Sequence, residues 1–340
     1  MAFDSEKLAS ALSSAVGENS TGTEPTSWLD MGYMPLNKII SGSPTRGLAG
    51  GRMYEIAGPS ASGKTLLATQ AMIAAQRAGG FAIFVDWEQT FNQEFATRLG
   101  MNCSAPFFTY KRCETWEEGN TVAMKAADAL RKAGVPMEVP IVVVMDSIAA
   151  AVPKSMMYDS KGERREISEY TMNDTTALAR VTSTTLKSIN QLVGKLNVTC
   201  LYLNQVRTKP GVIYGDPSTT PGGSSMEFYA TTRLFTGRKK EMVTEDGEKI
   251  MKAALIGVET KKNKINRPFL SAELRLAYND DGLAYFDFTT GYIDELCGMG
   301  KLEEKAGRVQ WDGKTYWKAQ LARKIDEEGR QAELIKLYLG

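Results

Sequence analysis

Eight consecutive residues carry the densest chemistry in this chain. Gly58-Pro59-Ser60-Ala61-Ser62-Gly63-Lys64-Thr65 fits the pattern G-x-x-x-x-G-K-[ST] and falls between an apolar run and a helical one. The glycines let the backbone bend so that successive N–H groups face a phosphate, and the following helix adds the positive end of its dipole. Lys64 is placed to reach the β- and γ-phosphates, and the Thr65 hydroxyl to ligate Mg²⁺. The loop reads as a site for a nucleoside triphosphate.

Two acids suit such a site. Asp146 ends the apolar run IVVVMD (141–146). A carboxylate at the C-terminal end of a parallel strand faces the ligand crevice, where it can hold the Mg²⁺ shell. Glu88 stands just past the run FAIFVD (81–86). Hydrolysis needs a group that orients the attacking water, and the chain contains no histidine for that task. Glu88 is the better candidate by position, with Asp86 as its rival.

The elements that must carry these residues are legible as strands alternating with helices. RMYEIA, FAIFVD, IVVVMD and TCLYLN read as buried strands. Helical periods run to Arg77, near 92–99, from Thr115 (or Glu114 as cap) to Ala133, and from Asp174 to Asn197. This order predicts an α/β fold with a mostly parallel sheet flanked by helices. Beyond Tyr229 the alternation of ATTRLFTG, KAALIGVET and LSAELRLAY adds antiparallel strands, and after about Thr290 comes a small charged, helix-leaning module. Phe3, Leu8, Leu12 and Val16 mark an N-terminal amphipathic helix, followed by the polar tether GENSTGTEPTS. That helix is either a frayed terminus or a piece that docks on a neighbouring subunit.

Composition excludes several classes. The 340 residues are 43% apolar and 24% charged, with 41 basic against 40 acidic side chains, so any nucleic-acid contact must come from local patches. Without histidine there is no serine–histidine triad and no imidazole metal site. Cys103, Cys113, Cys200 and Cys297 are too scattered for a disulfide framework, and Cys200 belongs to a core run. No stretch approaches the roughly 20 apolar residues of a membrane span, and MAFDSEK does not resemble a signal peptide. A reduced, cytoplasmic setting is expected.

Five ordered segments resemble the RecA family of homologous recombinases. They are GPSASGKT, VDWEQTFNQEFATRLG, IVVVMDSIAAAVPK, LYLNQVRTKPGVIYGDPSTTPGGSSMEFYATTRL and KKNKINRPF. The resemblance implies a RecA-type P-loop core with an N-terminal helix and a small C-terminal α+β module, divided as 1–32, 33–289 and 290–340. It implies ATP and Mg²⁺ as cofactors, Glu88 as the water-activating acid and Gln205 as the γ-phosphate sensor that begins a DNA-binding loop. Asn92 and Phe95 match positions that flank the adenine, and Lys262 and Lys264 match a pair that reaches the γ-phosphate bound by an adjacent protomer. On the residues alone, no matching pair of acids is evident for those two lysines.

The second DNA loop, about 206–222, is too rich in Gly, Pro and Thr to expect a regular element. It carries Arg207, Lys209 and Tyr214, cations beside an aromatic, which suits single-stranded DNA or, on composition alone, a solvated loop. The resemblance favours DNA and makes Gly211, Gly222 and Gly223 hinges. The first loop, about 154–174, is longer than the usual family form and carries Arg164 and Arg165. Arg180 and Lys187 on the helix behind it match phosphate contacts. Glu227 stands where bacterial members usually have an interface lysine, next to Phe228, and the end KLYLG lacks the acidic extension of many of them. The implied partners are single-stranded DNA, homologous duplex, further copies in a helical filament, and single-strand-binding or loader proteins. The implied function is ATP-dependent pairing and strand exchange. A hexameric RecA-fold helicase and a non-catalytic recombinase paralogue are the alternatives.

Overall fold

Runs rich in Val, Ile, Ala and Phe line up as neighbouring strands, and the helices between them cover both faces. The computed structural model describes residues 4–16, 24–170, 176–208, 218–245, 248–278 and 282–340. The N-terminal part holds α1 (Ser5–Val16), β1 (Trp28–Leu29), α2 (Met34–Ser41) and β2 (Leu48–Ala49). The core follows with β3 (Arg52–Gly58), α3 (Lys64–Arg77), β4 (Phe81–Asp86), α4 (Gln93–Arg98), β5 (Phe108–Arg112) and α5 (Trp116–Lys132). Next come β6 (Ile141–Asp146), α6 (Lys154–Met157), α7 (Ala177–Lys195), β7 (Val198–Gln205), β8 (Arg207–Thr208), β9 (Ser218–Thr219) and α8 (Ser225–Tyr229).

The sheet is then extended by β10 (Thr232–Glu245), β11 (Glu248–Asn263), β12 (Ser271–Tyr278) and β13 (Ala284–Phe286). The C-terminal part is α9 (Phe288–Gly298), β14 (Glu304–Lys305), β15 (Arg308–Trp311), β16 (Lys314–Trp317), α10 (Lys318–Glu327) and α11 (Gln331–Leu339).

The main sheet has nine strands in the order β13-β12-β11-β10-β3-β7-β6-β4-β5. From β10 to β5 the neighbours are parallel, and β11, β12 and β13 add on antiparallel, as the alternation beyond Tyr229 predicts. Burial alternates between the two faces because successive side chains of a strand point oppositely. Tyr54, Ile56, Phe84, Val144 and Leu203 join one apolar cluster, while Met53, Val85, Val143, Met145 and Tyr202 join the other. Cys200 is buried in the second cluster, where burial pushes its thiol up to about 12 and leaves it inert.

Local signals decide the helix boundaries. Thr115 caps α5 by accepting a hydrogen bond from the Glu118 N–H at 3.2 Å, and Asp287 caps α9 by accepting from Thr290 at 2.9 Å. Division at residue 290 falls inside α9, whose Tyr292 ties that helix to α2: its hydroxyl oxygen accepts from the Met34 N–H at 2.9 Å. Leu321, Ile325 and Leu334 of the C-terminal part share an apolar cluster with the main sheet. Strand β5 was not expected, because FTYKR is short, edge-lying and mostly unburied, and so shows no clear period.

Candidate active site

The P-loop takes its shape from residues that tolerate unusual backbone. Ala61 has φ +56° and Gly63 has φ +84°, the latter at the start of α3. A side chain at Gly58 would land on Thr236 Oγ1 and come within 2.6 Å of both Ser62 Oγ and the Thr236 carbonyl. Ser62 Oγ donates to the Pro59 carbonyl at 2.8 Å and lies 2.7 Å from Thr236 Oγ1, which ties the loop to β10. Lys64 bridges the loop carbonyls of Pro59 at 2.7 Å and Gly58 at 3.1 Å, and burial lowers its pKa. Ser60 and Ala61 are exposed at the loop's outer turn.

Strand register gathers the acids. Asp86 and Asp146 are partners on β4 and β6, so both end at the same edge of the sheet as Gly58. Asp86 is fully buried and accepts from Gln89 N–H at 2.6 Å, Phe91 N–H at 3.0 Å and the Tyr110 hydroxyl at 2.9 Å. Its oxygens are committed to holding the strand end. Glu88 accepts instead from the Ser147 hydroxyl and keeps a carboxylate close enough to Lys64 and Asp146 to influence both. Of the two acids, Glu88 is the one whose carboxylate is not taken up by the strand end.

Asp146 accepts from the Thr65 hydroxyl at 3.0 Å. Burial, and next the charge of Glu88, push its carboxyl up to about 7. The charge of Lys64 only partly offsets that rise, and the Thr65 hydroxyl with the Asp146 carboxylate is a hard-oxygen pair that suits Mg²⁺. The ion commonly takes one or two protein ligands and completes its shell from substrate phosphates and water. These residues fit a nucleoside triphosphate with Mg²⁺.

Gln205 ends β7 directly opposite Gly58 in the β3–β7 ladder, and the next residue's N–H donates to the Gly58 carbonyl at 3.3 Å. The sensor candidate therefore leaves the sheet beside the P-loop. The flanks of the second loop form a regular element after all: Arg207 pairs with Thr219 and Thr208 with Ser218 as antiparallel strands. Backbone pairing across the neck overrides the loop-like composition. Gly222 (φ +89°) and Gly223 (φ +70°) sit in left-handed turns packed on α7, where Thr182 donates its hydroxyl to the Gly222 carbonyl at 2.7 Å. Lys209, Gly211 and Tyr214 lie outside the described residues.

Lys262 lies near the end of β11 and Lys264 just past it, so they are not two positions of one strand, yet both ammonium groups reach the same neighbour. Their partner is a helix end rather than a pair of acids. Lys262 donates to the carbonyls of Glu227 and, at 3.1 Å, Phe228; Lys264 donates to Phe228 at 3.2 Å. Both carbonyls belong to the last turn of α8, where the helix dipole favours cations. Burial, followed by the like charges of Lys264 and Arg233, lowers Lys262 to about 8. Phe228 is 69% exposed beside them. The Glu227 carboxylate accepts from Arg233 of the same chain at 3.1 Å, so the charge reversal there is compensated internally.

The remaining candidates have mixed placements. Asn92 caps α4 by accepting from the Phe95 N–H at 2.9 Å, and Phe95 is half-buried. Arg164 donates to Glu114 at 3.1 Å, and Arg165 donates to the Glu169 carbonyl at 2.6 Å and stacks on Tyr170 at 5.2 Å. Both arginines therefore brace the first loop, whose Tyr158–Arg164 bridge makes a small hairpin. Arg180 and Lys187 are exposed on α7, about two turns apart and so on one side of it.

Sequence reasoning missed Ser147, Thr236, Glu55, Asn204 and Arg233. Glu55 and Arg233 had a signal: each is a charged residue inside an otherwise apolar strand, RMYEIA and TRLF, and such charges demand a partner.

Comparison with known proteins places the chain in a family. Residues 25–284 match the family described as the RecA N-terminal domain. The chain is 33% identical over 285 residues to Protein RecA of Desulforapulum autotrophicum, covering 84% of this chain and 74% of that protein. It is 34% identical over 230 residues to Protein RecA of Porphyromonas gingivalis, covering 68% of this chain and 61% of that protein. Protein RecA of Acidothermus cellulolyticus is 34% identical over 288 residues, 82% of this chain and 76% of its own. With a domain match over well more than half its length, and relatives above 30% identity across more than two thirds of it, the chain belongs to the RecA family of recombinases.

Proposed function

We propose that this protein is a DNA-dependent ATPase that assembles on single-stranded DNA, pairs it with homologous duplex and exchanges strands. The observation that carries this reading is the register that sets Gln205 opposite Gly58 where the second loop leaves the sheet. A change in that loop is then a change at the nucleotide site.

In this mechanism Lys64 neutralises terminal phosphate charge, and Thr65 and Asp146 hold Mg²⁺, which supplies charge stabilisation on the phosphate oxygens. Glu88, oriented by the Ser147 hydroxyl, positions the attacking water and accepts its proton. The amide of Gln205 contacts the γ-phosphate without titrating. Lys262 and Lys264 serve the site of the neighbouring protomer, so that hydrolysis needs correct stacking. Asn92 and Phe95 flank the adenine. Arg164, Arg165, Arg180, Lys187, Arg207, Lys209 and Tyr214 meet DNA, with Gly211, Gly222 and Gly223 shaping the second loop.

Residues 1–32 serve oligomerisation, 33–289 form the ATPase core and 290–340 form a small C-terminal domain, whose first helix, α9, already begins at Phe288. Among the described residues no helix is long and apolar enough to cross a membrane, which accords with a cytoplasmic site of action. Single-strand-binding or loader proteins assist assembly.

The test is phosphate release by the full chain with and without single-stranded DNA, followed by electron microscopy. DNA-dependent turnover with helical filaments supports the reading. Full-speed hydrolysis by monomers without polynucleotide overturns it. Unwinding of a forked duplex without homology would instead mark a helicase.

A further inference from the structure

One buried carboxylate ties together both flanks of the second loop. Glu55 lies on β3 three positions before Gly58 and is inaccessible to solvent. Its Oε1 accepts from Asn204 Nδ2 at 2.8 Å, and its Oε2 accepts from Arg233 Nε at 2.5 Å. Asn204 also accepts from the Gln205 N–H at 2.9 Å and donates to the Pro221 carbonyl at 3.0 Å. Arg233, almost fully buried, donates through Nη2 to Thr220 at 3.2 Å and through Nη1 to Glu227 at 3.1 Å. Gln205 precedes the loop, and Thr220–Pro221 close it. Glu227 lies on α8, whose carbonyls receive Lys262 and Lys264.

We infer that Glu55 and Arg233 are a positioning pair that transmits the state of the second loop to Gln205 and to the Lys262–Lys264 pair, with Glu227 as its outer branch. This rests on the proposed function, since it needs that loop to respond to DNA. The physical reason is desolvation. A buried charge or amide that loses its partner is costly, so displacement of Thr220 or Pro221 is followed by Arg233 and Asn204 rather than absorbed locally. Asn204 then carries the Gln205 backbone, and Arg233 carries α8 with its lysine-binding carbonyls. The flat guanidinium fork serves all three acceptors at once; a lysine would keep the charge but lose that geometry.

The test uses the full chain as wild type, Arg233→Lys and Glu227→Gln, each first checked for a cooperative thermal transition. ATP hydrolysis is titrated with single-stranded DNA, and ADP affinity is read with a fluorescent nucleotide. Arg233→Lys is expected to lower the DNA-stimulated maximum at least tenfold with ADP affinity within twofold of wild type. Glu227→Gln is expected to act in the same direction, by two- to fivefold. If Arg233→Lys does not fold, Thr220→Val, which severs only the loop branch, decides in the same way with an expected loss of at least threefold.

A folded variant stimulated within twofold of wild type overturns the inference. So does ADP affinity that falls in step with the stimulated rate, because that marks a general loosening. Wild-type protein with no DNA stimulation removes the proposed function itself, and the inference with it.

Discussion

Asp86 and Glu88 leave the same strand end two positions apart, yet only Glu88 faces the nucleotide site with a carboxylate held by a single side-chain hydroxyl, that of Ser147. Asp86 is closed off by two backbone N–H groups and the Tyr110 hydroxyl.

The two acids should therefore fail differently. Glu88→Gln should cut hydrolysis by roughly 10²–10⁴ and leave the melting temperature nearly unchanged. Asp86→Asn should cost about 1.5–3 kcal/mol of stability through weakened charge-assisted bonds. Thermal melts run beside phosphate release separate the two.

Gly58→Ala should abolish nucleotide binding. Its methyl group meets Thr236 Oγ1, Ser62 Oγ and the Thr236 carbonyl, and the last is backbone that cannot swing away. Overpacking of this kind costs about 1–3 kcal/mol, so the melt should fall as well. Fluorescent-nucleotide titration and a thermal scan read both effects.

Lys262→Ala should eliminate DNA-stimulated hydrolysis while nucleotide affinity stays near normal, since its ammonium docks on α8 rather than on the P-loop of its own chain. Stimulation that survives the substitution would refute a role for this lysine in the neighbouring site.

The same lysine sets a pH dependence. Burial, then Lys264 and Arg233, lower it from 10.5 to about 8, so it is charged below that pH and loses its proton as pH rises through it. The stimulated rate should therefore decline above about pH 8, and Lys262→Arg should extend the active range upward. For folding the sign is opposite: between about 8 and 10.5 the unfolded chain binds the proton more tightly, so this group's contribution to stability rises with pH. Rate and melting profiles across pH 6–10.5 check both.

Gln205→Ala should leave the protein able to bind ATP and DNA separately but lower stimulation by DNA on the order of 10²-fold, the scale of losing one oriented donor at a developing charge. Binding titrations combined with stimulated rates distinguish this from a loss of affinity.

Much of this was readable in advance. The parallel strands were evident because burial on both faces leaves near-continuous apolar runs such as IVVVMD. The short edge strand β5 escaped because Phe108–Arg112 is mostly unburied and carries no period. The paired neck of the second loop escaped because Arg207 and Thr219 meet only through backbone, which composition does not register. The partners of Lys262 escaped for a related reason: a search for acids cannot find the carbonyls of a helix end.

By itself the amino-acid order determined the phosphate cradle, since its glycines, lysine and threonine are contiguous and their backbone preferences act locally. It also determined the strand–helix alternation that puts Gly58, Asp86, Asp146 and Gln205 at one sheet edge. Only the tertiary structure decided which charges answer one another. Glu55 and Arg233 stand 178 positions apart and meet because β3 and β10 are neighbours in a particular register. A desolvated pair of that kind depends on the register of the whole sheet, and no local pattern in the chain encodes it.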